Sequence, residues 1–590
     1  MFTIKSLLII VLSFPLFSGI SLADTFVVTN LNDPGAGSLR QAIINSNLNP
    51  GPDEIVFEEG LFGTIFLNVG PMTIQDDLTI KGPGGGQITI DADSKSPILN
   101  INDGDDERNR IVNIKGLRFI NGFAGNGSGI DNSENLTVNS CQFLNGKGGD
   151  GAAIYNRGLL SVDSCLFENN IAEFARGGAI FNEGIILSIN NSDFRNNQAD
   201  SGGAISNYAT IELIKNSTFA ENSANFNNES SGGAIQNATA STINEISHCT
   251  FQNNIAIGQG GAIQNGIGSP FVVETAIIKT LVNSTFVKNI ARSGGAISNA
   301  GLMNISFTTI AENESDNLGG GGGILLVPIG IYQIHNSIIA FNSPSNCAAS
   351  GDIGGNYSND FSCGFTGDGS IIMLGPLAHN GGPTETMALL GGDPVNGATI
   401  NCDALDENGN PTGIPIGVDQ RYFPRPFGVR CDSGAFESQP VATVTITKVT
   451  DPSVDRNFRF GSGGFNPLQE CPLDGGGDGV FVLSDGQSIS CNVPQGNYSI
   501  NEIIPQEYEL LIFCIEAPDN IVINNETGDI NFTIEDSGSD IDCIYTNIKK
   551  GSGGGGCTLA SGSNNSSLPL FLLIPVLIMI RRILRNKENE

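Results

Sequence analysis

The amino-acid sequence predicts an all-β protein whose core is a right-handed parallel β-helix of about nine coils. Three observations predict it. Glycine supplies 77 of 590 residues, tryptophan is absent and charged residues are 15%, a turn-rich composition poor in helix formers. Two short boxes alternate through the middle of the chain at unequal spacing. Between them, apolar and polar residues alternate as in Leu136-Thr-Val138, Leu160-Ser-Val162 and Leu187-Ser-Ile189, the period of half-buried strands.

The chain opens as an export signal. Lys5 precedes an apolar run from Leu7 to Phe17, and Ser21-Leu22-Ala23 offers a small-residue cleavage site, placed after Ala23. The run is short for a membrane span. Residues 24–109 then read as an N-terminal cap. They carry Thr25-Phe-Val-Val-Thr29, Gly37-Ser-Leu-Arg-Gln-Ala-Ile43 and Asp53-Glu-Ile-Val-Phe57. Ser38 and Gln41 have capping-box spacing, and Leu39, Ala42 and Ile43 make an apolar stripe. A short helix here closes an end that otherwise exposes unpaired strand edges. The segment resembles the CSLREAI domain of bacterial secreted repeat proteins, with Gly37 where that family carries Cys.

Residues 110–345 hold the repeats. One box is Gly-Gly-Ala-Ile-x-Asn, at Gly177–Asn182, Gly202–Asn207, Gly232–Asn237, Gly260–Asn265 and Gly294–Asn299, with weaker copies at Gly151–Asn156 and Gly321–Ile324. The other is Phe-x-x-Asn, at Phe167–Asn170, Phe194–Asn197, Phe219–Asn222, Phe251–Asn254 and Phe286–Asn289. Ile310–Asn313 and Ile339–Asn342 continue it, and Phe119 and Phe143 open it. Coils stacked about 4.8 Å apart put like residues over like. The Phe and Ile positions then form an interior stack, and the glycines turn the corners. The asparagines form amide ladders; the alternative for that row is a strip that binds sugars or ions. Cys141 and Cys165 fall in adjacent coils, as a disulfide or as two buried thiols, and Cys249 has no obvious partner. These boxes resemble the repeats of the polymorphic outer membrane proteins. The resemblance implies a surface-exposed β-helix acting as an adhesin. That family ends in an autotransporter β-barrel, and here a sorting tail is expected instead, so self-translocation is not carried over.

Residues 346–438 include Leu374-Gly-Pro-Leu-Ala-His-Asn-Gly-Gly-Pro383, Asp419-Gln-Arg-Tyr-Phe-Pro424 and Cys431-Asp-Ser-Gly-Ala-Phe436. They resemble the closing segment of the same secreted β-helix families, and a cap over the far end is expected. Cys347 with Cys363 and Cys402 with Cys431 are the expected bridges. Residues 441–549 change character: short strands separated by turns predict a β-sandwich. This part resembles the prealbumin-like or Ig-like stalk domains of bacterial envelope proteins. Its four cysteines allow three connectivities; Cys471–Cys491 and Cys514–Cys543 are favoured by proximity in sequence. The tail has a Gly/Ser-rich linker over 550–567 with Cys557. Residues 568–590 follow, with an apolar run from Leu568 to Ile580 and Arg581, Arg582 and Arg585. This order resembles the GlyGly-CTERM and JDVT-CTERM sorting tails. It implies a short transmembrane helix, an intramembrane sorting protease acting near Cys557, and delivery to the Gram-negative cell surface.

A net charge of −33 argues against nucleic acid as a partner, since phosphate contacts need clustered Lys and Arg. Three histidines leave little for acid–base or metal chemistry, and His248, His335 and His379 read as structural. The acid pairs Asp76-Asp77 and Asp105-Asp106-Glu107 lie outside the repeated strands, where a β-helix lyase or hydrolase would build its groove. No catalytic residue is expected, and the chain reads as no enzyme. Calcium is the one ligand with candidate donors: Asp103, Asp105 and Asp106 in one acidic loop, and Asp406, Asn408 and Asn410 at alternate positions in another. Solvated acidic turns are the simpler reading of both loops and the preferred one. The functional expectation is adhesion or envelope structure through a glycan or a neighbouring-cell surface. The long loops Phe226–Ser231 and Gly266–Thr275 add to the contact face. The rival is a polysaccharide lyase or hydrolase on the same scaffold.

Overall fold

The structure is a computed structural model. It describes residues 23–105, 108–266, 275–316, 320–327, 330–348, 351–426, 430–438, 442–454, 456–463, 480–493, 496–515, 521–534 and 541–550. The expected export signal, the linker with Cys557 and the apolar run from Leu568 lie outside these residues. Among the described residues, no helix is long and apolar enough to cross a membrane.

One coil shows how the repeat folds. Ile154–Asn156, Leu159–Asp163, Leu166–Glu168 and Ile171–Arg176 are four short strands. Gly177 and Gly178 then lead into Ile180–Asn182, which starts the next coil. Stacked in parallel, these four strands generate a box sheet, a long sheet, a phenylalanine sheet and a short sheet. Register is like over like: Phe143 pairs Phe167, Phe167 pairs Phe194, and Ile154 pairs Ile180. This part of the chain is thus a parallel β-solenoid.

The stack is longer than nine coils. The long and phenylalanine sheets each have 13 strands, a solenoid of about 11 turns. The extra rungs are Thr25–Val28, Asp53–Phe57 and Leu78–Lys81 at one end and Asp352–Gly354 at the other. They carry the strand alternation without the boxes, because the boxes encode corners rather than strands.

The two glycines of a box do different work. The first sits at φ +64 in Gly177, +65 in Gly202 and +67 in Gly260, the left-handed region where a Cβ is strained. The second has ordinary φ but no room. A Cβ on Gly203 would meet Gly233 O at 2.1 Å. The corners flanking the phenylalanine sheet use Asn or Ser at positive φ instead, as at Ser164, Asn169, Asn191 and Asn196.

Inside, seven rings from Phe119 to Phe286 stack with centroids 4.5–5.0 Å apart. Two asparagine ladders flank them. Asn132, Asn156, Asn182, Asn207, Asn237 and Asn265 each donate from Nδ2 to the next Oδ1 at 2.8–2.9 Å, ending at Asn299. The ladder from Asn170 to Asn342 does the same and also donates to a backbone carbonyl of the coil below. Every rung satisfies its neighbour, so these polar side chains are buried without a desolvation penalty left over.

Helix Leu39–Leu48 seats Leu39, Ala42 and Ile43 on the first coils. Ser38 Oγ accepts from Gln41 N, but Gln41 turns its own amide to Asn45, so the capping box is half formed. Gly37 has φ +74, and a Cβ there would meet Thr29 Oγ1 at 2.2 Å. That conformation explains glycine at this position.

The segment expected to cap the far end divides in two. Residues 352–368 do extend the last coil, with Cys363 and Phe365 in the core and Cys363 bonded to Cys347. Residues 380–437 instead lie along the side of the solenoid as a strap. Tyr422 Oη donates to Asn216, Thr285 to Gln420 Oε1, Asn283 to Val418 O, Gly434 N to Asn336 O and Ser433 to Gly355 O. The Cys402–Cys431 bond and the fully buried Arg425–Glu437 pair hold the strap together. Its seat is the corner between the long and phenylalanine sheets. That corner is exposed at Ser140, Ser164 and Asn191 but buried at His248, Asn283, Phe307 and Asn336.

The described residues between 442 and 549 form two sheets, of four and five strands, around one apolar core that includes Val444, Ile446, Phe460, Ile500, Ile512 and Tyr545. Ala442–Asp451 and Ile541–Lys549 are parallel neighbours. Cys514–Cys543 is bonded. Cys471 lies outside the described residues, and with it the expected Cys471–Cys491 pairing.

Candidate functional site

The box sheet points Ile154, Ile180 and Ile205 inward and leaves the middle residue of each strand facing outward. That outward row runs Asp131, Tyr155, Phe181, Ser206, Gln236, Gln264 and Ser298. On a flat sheet it would face water. Here Phe181 and Ser206 are 0% exposed and Tyr155 is 8% exposed, so the row is covered by the side chains around it.

Aromatic and charged side chains fill one end. Tyr155 stacks on Phe181 at 5.5 Å. The Arg176 guanidinium lies 4.2 Å over Phe181 and 4.7 Å over Tyr208, and both its ends engage Asp150. Arg157 pairs with Asp131 at 2.7 Å and lies 5.1 Å over Tyr155. Tyr155 Oη donates to Glu183. Burial, then the Glu183 carboxylate, push the Tyr155 phenol up to about 12. Burial also raises the Asp131 carboxyl against the pull of Arg157. Its hydrogen bonds to the Asp150 carboxylate hold the Arg176 guanidinium above its ordinary value. Asp131, Asp150 and Glu183 therefore each have a partner. The other end is neutral: Ser206 donates to Gln236 Oε1 at 2.8 Å, Gln236 to Gln264, and Ser298 to Gln259.

Aromatic faces, planar guanidinium forks and a line of amides are the groups that hold sugar rings and hydroxyls. The sequence reading placed contact on the outer face but did not name this row. Its signal was the x of each box, which turns from Tyr155 and Phe181 to Ser206, Gln236, Gln264 and Ser298.

The acidic loops resolve differently. Asp103 accepts from Arg110 Nε at 2.6 Å, and Arg110 also reaches Asp76. Asp406 Oδ1 accepts the backbone N–H of Asn408 and of Asn410, so that loop closes on itself. The backbone N–H of Asp105 donates to Asp103 Oδ1, and Asp106 lies outside the described residues. Among the described residues, no group of three or more His, Cys, Asp or Glu is disposed to hold a metal. In the loop 226–231, Asn227 and Ser230 bind Asp200. Residues 267–274 lie outside the described residues.

The cysteines and histidines lie away from this row. Cys141, Cys165 and Cys249 are free, buried thiols; burial pushes Cys249 up to about 12. His248 stacks on Tyr422 of the strap at 4.4 Å. His335 Nε2 faces both Asp403 Oδ1 and Thr399 Oγ1 at 3.3 Å. A relay needs the acid on one ring nitrogen and the hydroxyl on the other, so this cluster pins the strap. His379 is exposed beside Glu385.

Residues 248–266 match the family model of the Chlamydia polymorphic membrane protein repeat, a single repeat in length. No curated protein matches. A mutant of the Streptococcus pyogenes major pilin is 20% identical, covers 22% of this chain and 54% of its own, and has a TM-score of 0.15. The chain thus spans about half the length of that first structural relative. A Mobiluncus mulieris adhesin described as containing disulfide, isopeptide and ester cross-links is 11% identical, covers 28% and 57%, and has a TM-score of 0.15. A PL6-family alginate lyase mutant is 13% identical, covers 72% and 61%, and has a TM-score of 0.36. These likenesses are too low to bear on chemistry.

Proposed function

We propose that this protein is displayed at a cell surface and holds a glycan on the exposed rim over the outward row of the box sheet. The observation that carries the reading is that row, seven coils long and aromatic at one end, amide-rich at the other. Rungs about 4.8 Å apart repeat on the scale of one sugar ring. The accessible rim is Tyr208, Arg157 and Arg176. Adhesion or envelope structure follows from holding without turnover, because each carboxylate of the aromatic end already serves a cation or a phenol. The export signal cut after Ala23, a prealbumin-like or Ig-like stalk over 441–549 and the sorting tail at Cys557 belong to the same reading: they deliver and anchor the solenoid.

The test is retention on immobilised acidic and neutral polysaccharides, with polymer length followed in parallel. Retention without shortening, weakened by Tyr208→Ala with Arg157→Ala, supports the reading. Reproducible shortening replaces it with a lyase or hydrolase. Equal retention by the double variant removes the row from the account.

A further inference from the structure

The two-sheet domain buries three polar side chains that the preceding account does not use. Strand Ala442–Asp451 alternates, sending Val444 and Ile446 into the core, and the next inward position is Lys448. Its parallel neighbour Ile541–Lys549 sends in Ile541, Cys543 and Tyr545, and next Asn547. Register sets Lys448 beside Tyr545 and Thr450 beside Asn547. Lys448 and Asn547 are therefore diagonal neighbours on one face. Glu502, at the end of strand Gly496–Glu502 in the facing sheet, stands at both. Its Oε2 is 3.4 Å from Lys448 Nζ, and its Oε1 accepts from Asn547 Nδ2 at 2.6 Å. Lys448 and Asn547 are 0% exposed and Glu502 is 1%. Phe458 lies 4.6 Å from Nζ, and Phe460 meets Tyr545 edge-on.

A buried ion pair kept for stability is expected to satisfy every remaining lone pair. This one does not. Lys448 Nζ donates to Tyr545 O and Val449 O. Yet Glu502 Oε2 and Asn547 Oδ1 accept no hydrogen bond among the described residues. Burial lowers the Lys448 ammonium to about 8 and raises the Glu502 carboxyl. Both shifts favour a neutral amine beside a neutral acid. A neutral amine is a nucleophile, the Asn547 amide carbon is an electrophile, and Glu502 touches both nitrogens.

We propose that Lys448 and Asn547 are joined by an isopeptide bond that the folded domain forms by itself, with Glu502 as the proton carrier. Nζ bonds to Asn547 Cγ as the carbonyl pair moves onto Oδ1. Glu502 takes one proton from Nζ and delivers it to Nδ2. The carbonyl re-forms, the Cγ–Nδ2 bond breaks, and Nδ2 leaves as ammonia. No oxidant or co-reactant enters. The bond ties the first strand of the domain to its last. Tension between the solenoid side and the tail side would then run through it and bypass the intervening strands. This inference goes beyond the glycan reading and holds whatever the solenoid binds.

The full chain, reduced and digested with trypsin, tests it by mass spectrometry. The expected product is a Lys448 peptide joined to an Asn547 peptide, lighter than the two together by one ammonia, about 17 Da. Glu502→Ala is expected to lose the joined product at least tenfold while its unreduced digest still shows the Cys514–Cys543 disulfide, which reports that the domain folded. Separate, unmodified peptides from a native chain that carries the same disulfide overturn the proposal. A joined product undiminished in a folded Glu502→Ala chain overturns the role of Glu502.

Discussion

In the solenoid, Asn222 donates from Nδ2 to Phe194 O and to Asn254 Oδ1, while its own Oδ1 accepts from Asn197. In the two-sheet domain, Asn547 donates one hydrogen to Glu502, and its Oδ1 accepts none among the described residues. Both amides are fully buried. A repeat supplies each asparagine with an identical partner above and below, so its amide is quenched and serves packing. A singular site has no such neighbour. Its amide keeps an open carbonyl, and beside an amine and an acid it is poised to react. Burial of a polar group is thus structural or chemical according to whether the fold repeats.

The largest expected effect breaks the reactive side of that contrast. Lys448→Met removes a cross-link closing a loop on the order of 100 residues, worth roughly 4–5 kcal/mol in the chain-entropy account. Urea-dependent proteolysis within 541–549 should move to clearly lower urea, with no change in protection of the coils. An unchanged midpoint would mean that the domain gains nothing from the bond.

Breaking the quenched side comes next. Asn222→Ala leaves Asn197 Nδ2 and Asn254 Oδ1 each short of a partner, at about 1–3 kcal/mol apiece. Hydrogen exchange should accelerate locally at strands Thr218–Ala220 and Thr250–Gln252. Uniform loss along the solenoid would show the ladder to be cooperative over its whole length.

His248 sharpens the comparison as a third solution, a buried base kept neutral. Its Nδ1 has no partner among the described residues, and burial holds the ring down to about 4. Lys215 and Arg425 push in the same direction and Asp419 opposes them. The unfolded ring titrates near 6.5. The unfolded state therefore takes up the proton first. The contribution is full above about 6.5 and is lost as pH falls toward 4, by on the order of 2–3 kcal/mol. His248→Asn, which tolerates the positive φ, should flatten that part of the stability–pH curve.

The smallest effect on stability belongs to the exposed rim. Tyr208→Ala should change the thermal midpoint by no more than the equivalent of about 0.5 kcal/mol while lowering glycan retention. A large loss of stability would make the aromatic end a packing feature.

The sequence was most legible where contacts recur at a constant offset. The Phe and Asn of each coil meet the same residues one coil on, so the ring stack and ladders could be read from the boxes alone. The count of coils fell short because the end rungs, such as Asp53–Phe57 and Asp352–Gly354, keep the strands and lack the corner glycines. The strap escaped because its partners, such as Tyr422 with Asn216 and Gln420 with Thr285, share no period. A trace of it was present: Phe307 occupies a corner where earlier coils place Ser164 or Asn191, which needs a cover. Lys448 likewise falls on the inward phase of its strand, a polar residue where Val444 and Ile446 are apolar.

By itself the sequence determined the solenoid, its corners and its interior rows, because one coil's side chains can satisfy only the coil beside it. The tertiary structure alone decided that residues 380–437 lie along the side, that the outward box-sheet row is buried, and that Lys448, Glu502 and Asn547 converge. Each of these joins segments with no common repeat, and such convergence is set by how the chain folds back on itself.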